Sequence, residues 1–362
     1  MTTILYYVSS HGYGHAVRSA QVIKELVKTR GVKVIVRTLA PGWLFGSTRD
    51  SSIIIEEADV DSGLVQADSM TVDIGASLKS FKKRVDSFDS GVALETEPIR
   101  RWKPSVIVSD ISPLGVEAGA AASIPTVVIA NFLWDWILID YVKTTPQFAP
   151  IAMRLRETYS KATSILKTKL SDGFEAYKNI EQIPLIARKI GKTRDEARRD
   201  LGLSGGAKEP DFLALVSLGG LGLDRFYRNL DKRVSNCLLM IPGPERSATG
   251  RIMRFDRRKT DHSDLLSACD AVIGKMGYGL CSELIANKRP LLYTLRNDFI
   301  EFKVLRKETA KYVGVVEVPE DDFFNGSLDV YIDALKKAVH PRLSTPVNGA
   351  VVAAGKILSM AK

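Results

Sequence analysis

Apolar and polar positions fall into two rhythms along this chain. Residues 4–8, Ile-Leu-Tyr-Tyr-Val, form an unbroken apolar run, the pattern of a strand buried on both faces. Val17, Ala20, Ile23, Leu26 and Val27 then recur at helical spacing, and residues 32–38 return to a β-branched run. Strand, glycine-marked loop, helix and strand in that order predict a parallel sheet covered by helices. Residues 105–109 and 126–130 predict two more strands with a helix over 113–122 between them. The pattern restarts at residues 212–218, an apolar strand running into Gly219-Gly220-Leu221-Gly222. Strands at 271–274 and 290–294 follow, with a helix over 279–286 between them.

The chain is therefore expected to be α/β, with a first domain over residues 1–182, a second over 183–346, and an Ala-rich amphipathic helix over 347–362 that crosses back to the first. The polar segment 171–210 reads as a solvated helix plus a loop, with the hinge in 172–184. A length of 362 residues agrees, since single cores stop growing below that size.

Composition narrows the class. Hydrophobic residues at 45% and charged residues at 26% are ordinary for a soluble protein. The net charge of +9 fits anionic partners, and equally an ordinary solvated surface. Three cysteines without CxxC spacing indicate neither a disulfide framework nor a zinc site. With no signal-like N-terminus, and with Asn131, Asp135 and Asp140 breaking the most apolar stretch, the expectation is a cytoplasmic chain, at most peripheral to a membrane and without nucleic-acid partners.

The loop HGYGHAVRS, residues 11–19, carries candidate chemistry. Gly12 and Gly14 match two glycines of a dinucleotide fingerprint, but Val17 takes the third place and the second strand ends in Arg37-Thr38 without an acidic residue. Gly274-Lys275 is no P-loop either, because Met276 stands where a magnesium-binding hydroxyl belongs. His11 and His15 flank two glycines before the predicted helix start, so they do not form a metal pair on one helical face.

What remains is a loop that brings His15 to a helix N-terminus at the carboxyl edge of a sheet, where open α/β sheets bind ligands. A helix N-terminus disfavours imidazolium in general and suits a general base; a capping histidine is the alternative. Asp110 ends the strand before Ser112-Pro113 and emerges on the same edge, either as an orienting carboxylate or as an N-cap. In the second half, the turn Gly277-Tyr278-Gly279 before a helix, with Lys275 and the Gly219-Gly220 loop, offers a cradle for a diphosphate. Glu283, one turn into that helix, could accept from ribose hydroxyls. Phe132, Trp134, Trp136 and Tyr141 fit packed core or an acceptor surface, and Arg18 reads as a helix-surface charge, with a contact to phosphate or acceptor as the alternative.

HGYGHAVRS at 11–19, SDISPLGVEAGAAASIPTVVIANFLWDW at 109–136 and HSDLLSACDAVIGKMGYGLCSELIANKRPLLYTLRNDFIEF at 262–302 resemble GT-B glycosyltransferases. Specifically, the chain resembles predicted transferases related to the N-terminal domain of plant-type L-arabinokinase. It is more distantly similar to plant glucosyltransferases and the lipid II-forming N-acetylglucosaminyltransferase. The resemblance implies two Rossmann-like domains facing across a cleft. It implies an inverting, metal-independent transferase without a cofactor, using a nucleotide-diphospho-sugar donor, expected to be a UDP-sugar.

By motif position His15 resembles the family's base and Asp110 its partner. Glu283 matches the ribose glutamate, whereas Lys275 replaces a phosphate-binding histidine. Asp298 and Glu301 lie in the stretch that meets the donor sugar. His11, Gly12, Gly14 and Trp134 fall on the acceptor side, and the tryptophan that stacks on the nucleobase has no counterpart near 255–262. A sugar-nucleotide 2-epimerase and a binding module without turnover are the alternatives on the same fold.

Overall fold

The computed structural model describes residues 2–45, 51–68, 70–203, 211–219, 223–228, 230–296 and 298–361. The first sheet comprises β1 (Thr2–Val8), β2 (Val32–Thr38), β3 (Ile53–Glu57), β4 (Val106–Asp110), β5 (Thr126–Ala130), β6 (Ser164–Lys167) and β7 (Ile180–Gln182). Its order is β3-β2-β1-β4-β5-β6-β7, all pairs parallel. Residues 4–8 are completely buried, as an apolar run with helices on both faces requires.

The second sheet comprises β8 (Leu213–Ser217), β9 (Leu238–Gly243), β10 (Ser247–Thr249), β11 (Ile252–Asp256), β12 (Ala271–Gly274), β13 (Leu291–Thr294) and β14 (Val315–Val318). The order is β10-β11-β9-β8-β12-β13-β14, with only β10 antiparallel. Each sheet reverses its strand order beside its first strand, which opens a crevice at the carboxyl edge.

Register decides what meets there. Val8 pairs with Asp110, so the loop leaving β1 and the carboxylate ending β4 emerge side by side. Gly274 pairs with Ser217, which sets Lys275 beside the loop that begins at Leu218.

Several boundaries differ from expectation. The first helix spans Tyr13–Val27 and so begins earlier than predicted, because Gly12 adopts a φ of 76° and turns the chain at the N-cap position. The 172–184 stretch contains β7, and Ile183, Leu185 and Ile186 beyond it are buried. Thr193 and Glu196 form a capping box that starts the short helix Arg194–Asp200. β3, β6, β7, β9, β10, β11 and β14 were not expected: β6, β7, β10 and β14 have three or four residues, and β3, β9 and β11 carry charged residues, or a proline and a glycine, that dilute the apolar signal.

The terminal helix Gly349–Met360 packs on the first helix, placing Ala353, Ala354 and Ile357 against Ala16, Ala20 and Ile23. Asn348 bridges to Ile186 just before it. Among the described residues no helix is long and apolar enough to cross a membrane.

Candidate active site

Both carboxyl edges open onto one cleft of about 800 Å³. His11, Gly12, Gly14 and His15 line it from the first half, and Gly219, Lys275, Gly277, Tyr278, Gly279, Glu283 and Glu301 from the second. Gly220 lies outside the described residues.

His15, in the first turn of its helix, directs Nδ1 at Asp110 Oδ1, 2.8 Å away. Asp110 is fully buried behind it. It is not an N-cap, because Ser112 fills that role for the helix Pro113–Ala121 by accepting from the Gly115 N–H.

Arg18 corrects the sequence reading. It is only 3% exposed and clamps Asp110, with Nε 3.0 Å from Oδ2 and Nη2 2.5 Å from Oδ1. The Ser19 hydroxyl donates to Oδ2 at 2.7 Å. Three residues after His15, Arg18 comes around to the same helical face and turns inward. Its Nη1 donates to Asn131 Oδ1 at 2.6 Å, and Asn131 Nδ2 donates to Glu301 Oε1 at 2.7 Å, so the chain of bonds crosses between the domains. Its guanidinium also lies 5.1 Å over the Tyr278 ring.

Arg18 Nη2 stands 3.1 Å from His15 Nδ1. Both share Asp110 Oδ1 as acceptor, so the tautomer that satisfies the carboxylate carries its proton on Nδ1 and leaves Nε2 free to accept one. Burial alone would raise the Asp110 carboxyl, but Arg18 and His15 outweigh it and hold it at about 2. Its folded value lies below the usual carboxylate range. It therefore stabilises the protein above about pH 4, on the order of 2 kcal/mol, and that contribution is lost as pH falls toward 2. Acid unfolding of an Asp110→Asn variant, followed by circular dichroism, should lack that component.

His11 sits outside the helix, its ring edge-on to Trp134 at 5.2 Å. Burial, then His15, Lys275 and Arg296, hold it neutral well below the ordinary histidine range. Trp134 does not reach the cleft: its indole is completely buried and donates to Asp61 Oδ2 at 2.9 Å. It backs His11 and contributes no acceptor surface; Phe132 lines the cleft in its place. Gly63 completes this corner, since a Cβ there would stand 2.6 Å from His11 Nδ1 and its φ is 63°.

Across the cleft, Lys275 is partly buried. Burial and the Arg296 guanidinium push its ammonium down to about 7, against the pull of Glu301 and Asp298. Glu283 lies near the floor, accepting from Arg188 Nε at 2.5 Å, with His262 Nδ1 3.4 Å from its other oxygen. Asp298 is engaged away from the cleft: Oδ2 accepts from the Val72 N–H at 2.8 Å and Oδ1 from Arg296 Nε at 3.2 Å. Tyr141 donates to the Asp298 carbonyl. Burial raises the Glu301 carboxyl, against the Asn131 hydrogen bond. Among the described residues no three His, Cys, Asp or Glu side chains converge as a metal site.

Residues 2–177 match the family model described as glycosyl transferase family 1. Over 355 residues, 96% of its length, the chain is 29% identical to L-arabinokinase of Arabidopsis thaliana, and it spans a third of that protein. Among solved structures it superposes on the calicheamicin glycosyltransferase CalG4 with a TM-score of 0.62, at 12% identity over 99% of this chain and 95% of that one. It also superposes on UGT89C1 of Arabidopsis thaliana complexed with UDP-L-rhamnose, with a TM-score of 0.59 at 12% identity over 98% and 94%. This is the GT-B fold. The resemblance read from the sequence to GT-B enzymes and L-arabinokinase thus stands.

Sequence reasoning missed Arg18, Asn131, Arg188 and His262 in this GT-B chain. Asn131 did carry a signal, for it is a polar residue directly after the apolar run that forms β5, just as Asp110 directly follows the run at 105–109. Arg188 carried none, lying in a polar segment where any charge reads as solvated.

Proposed function

We propose that this chain is an inverting glycosyltransferase. A nucleotide-diphospho-sugar occupies the second half of the cleft and the acceptor hydroxyl approaches His15. His15 Nε2 takes the hydroxyl proton as the oxygen attacks the anomeric carbon, and the sugar–phosphate bond breaks with inversion. The leaving diphosphate carries the electron pair to Lys275 and the N–H groups at Gly277–Gly279. These groups supply the charge stabilisation without a cofactor.

The observation that carries this reading is the 2.8 Å His15–Asp110 contact at the cleft wall facing the helix Tyr278–Asn287. The complexes of UGT89C1 with UDP and with UDP-L-rhamnose support a UDP-sugar as donor. Mass spectrometry after incubation with UDP-, GDP- and dTDP-sugars, with and without hydroxylated acceptors, tests it. A transferred sugar is expected; an altered sugar without acceptor would indicate epimerisation instead. One feature favours binding without turnover, namely the Arg18 guanidinium that sits against His15 and opposes the imidazolium formed in the reaction. Donor binding with no product in any mixture would select that reading.

Lys275 makes donor binding pH-linked. A diphosphate at the ammonium raises its affinity for a proton, so binding UDP near pH 8.5 should take up close to one proton. Affinity should fall as pH rises above about 7. Calorimetry in buffers of different ionisation enthalpy measures the uptake, and a value near zero would remove Lys275 from the phosphates. Glu283→Ala should weaken UDP binding by about 1.5–3 kcal/mol if the carboxylate holds the ribose. An unchanged isotherm would place the ribose elsewhere.

A further inference from the structure

A second concavity, of about 540 Å³, lies where the two domains meet at β6 and the helix Ile300–Thr309. Lys167 and Lys169 line it from the first domain, Lys303 and Lys307 from the second. We propose that this concavity binds a small soluble polyphosphorylated ligand, one bearing two or more phosphate groups, held between the domains by these four lysines.

The charges point to an anion. Lys161, Lys192, Lys311 and Lys356 each pair with a carboxylate within 3 Å. Among the described residues, no ion pair engages Lys167, Lys169, Lys303 or Lys307. Two carboxylates share the lining: Glu308 is paired with Lys311, and Asp172, which accepts from the Gly173 N–H, keeps its charge, so four ammonium groups face one unpaired carboxylate. Lys303 and Lys307 are four apart on one helix, a spacing that costs stability between like charges unless something separates or neutralises them. Ammonium groups on flexible stems suit phosphate as point charges, without the planar fork that selects carboxylates. The volume falls in the range of small-molecule sites.

The wall is also built to stay in place. Leu170 has a left-handed φ of 61°, a conformation that a branched side chain adopts only when its surroundings enforce it. Its side chain is buried in the core of the second domain with Phe302, Leu305 and Tyr312. That anchor crosses the domain junction and fixes Lys169 and Ser171, on either side of it, toward the concavity. The Ser171 hydroxyl is tied to the Thr168 carbonyl at 2.6 Å. Phosphate-sized groups would thus meet lysines from both domains on a preformed rim.

The test uses inorganic tripolyphosphate as probe, titrated calorimetrically into the full chain at two salt concentrations. Lys303 and Lys307 are exposed, so the Lys303→Glu/Lys307→Glu variant should fold, which its thermal unfolding curve checks. That variant should lose at least tenfold in tripolyphosphate affinity at this site, whereas Lys275→Ala, in the other cleft, should keep the site within about twofold. Wild-type protein that binds no tripolyphosphate, or equal affinity in the double variant, would overturn the proposal. So would binding to phosphatidylserine vesicles, lost in the double variant, in a protein that ignores tripolyphosphate, since the lysines would then serve a membrane surface.

Discussion

His15→Ala should lower turnover by about 10²- to 10⁴-fold while leaving donor affinity within about twofold. The split follows from placement: His15 sits on the first domain, and the proposed diphosphate cradle on the second. Asp110→Asn should reduce turnover in the same direction by disturbing the tautomer that leaves Nε2 free. The double variant should lose far less than the product of the single losses, because the two residues act as one unit. Steady-state rates with UDP-sugar, paired with calorimetry on UDP, give both halves of the result. Wild-type turnover in His15→Ala would reduce the histidine to a structural element at the start of its helix.

The second large effect belongs to Arg18. As a surface charge its replacement would change stability by less than about 0.5 kcal/mol. In the observed arrangement Arg18→Met strips the buried Asp110 of its main countercharge and should cost about 3–5 kcal/mol, read as a drop in the denaturant midpoint. Arg18→Lys should recover only part of this, since an ammonium cannot reproduce the two-pronged grip on both carboxylate oxygens. The variant also separates roles. With its countercharge gone, Asp110 favours imidazolium more strongly, so in whatever activity survives the acid limb of the pH–rate profile should move to higher pH. A residue that mattered only for packing would lower stability and leave that profile in place.

Two α/β halves were legible because a strand buried on both faces reads as a near-continuous apolar run, as residues 4–8, 106–108, 127–130 and 212–216 do. His15, Asp110 and the Gly277–Gly279 turn were legible because parallel sheets bring their carboxyl edges together, so a polar or glycine-rich stretch directly after such a run marks the crevice. The peripheral strands were not legible: β7, β10 and β14 have three or four residues each, and their burial is set by neighbours far away in sequence.

Which side chains complete the site was a matter for the tertiary structure alone. Arg18 looks solvated in sequence because its countercharge is 92 positions distant, and only the β1–β4 register brings Asp110 to it. Trp134 could have faced the cleft or the core, and the buried Asp61 carboxylate that accepts its N–H drew it inward. Asp298 and Glu301 are close in sequence, yet one precedes the helix Ile300–Thr309 and is bound to Val72, while the other lies in its first turn and reaches Asn131 at the cleft. Periodicity and strand-end chemistry are local and can be read from a chain. The pairing of a buried charge depends on long-range register and domain contact, which the chain encodes without displaying.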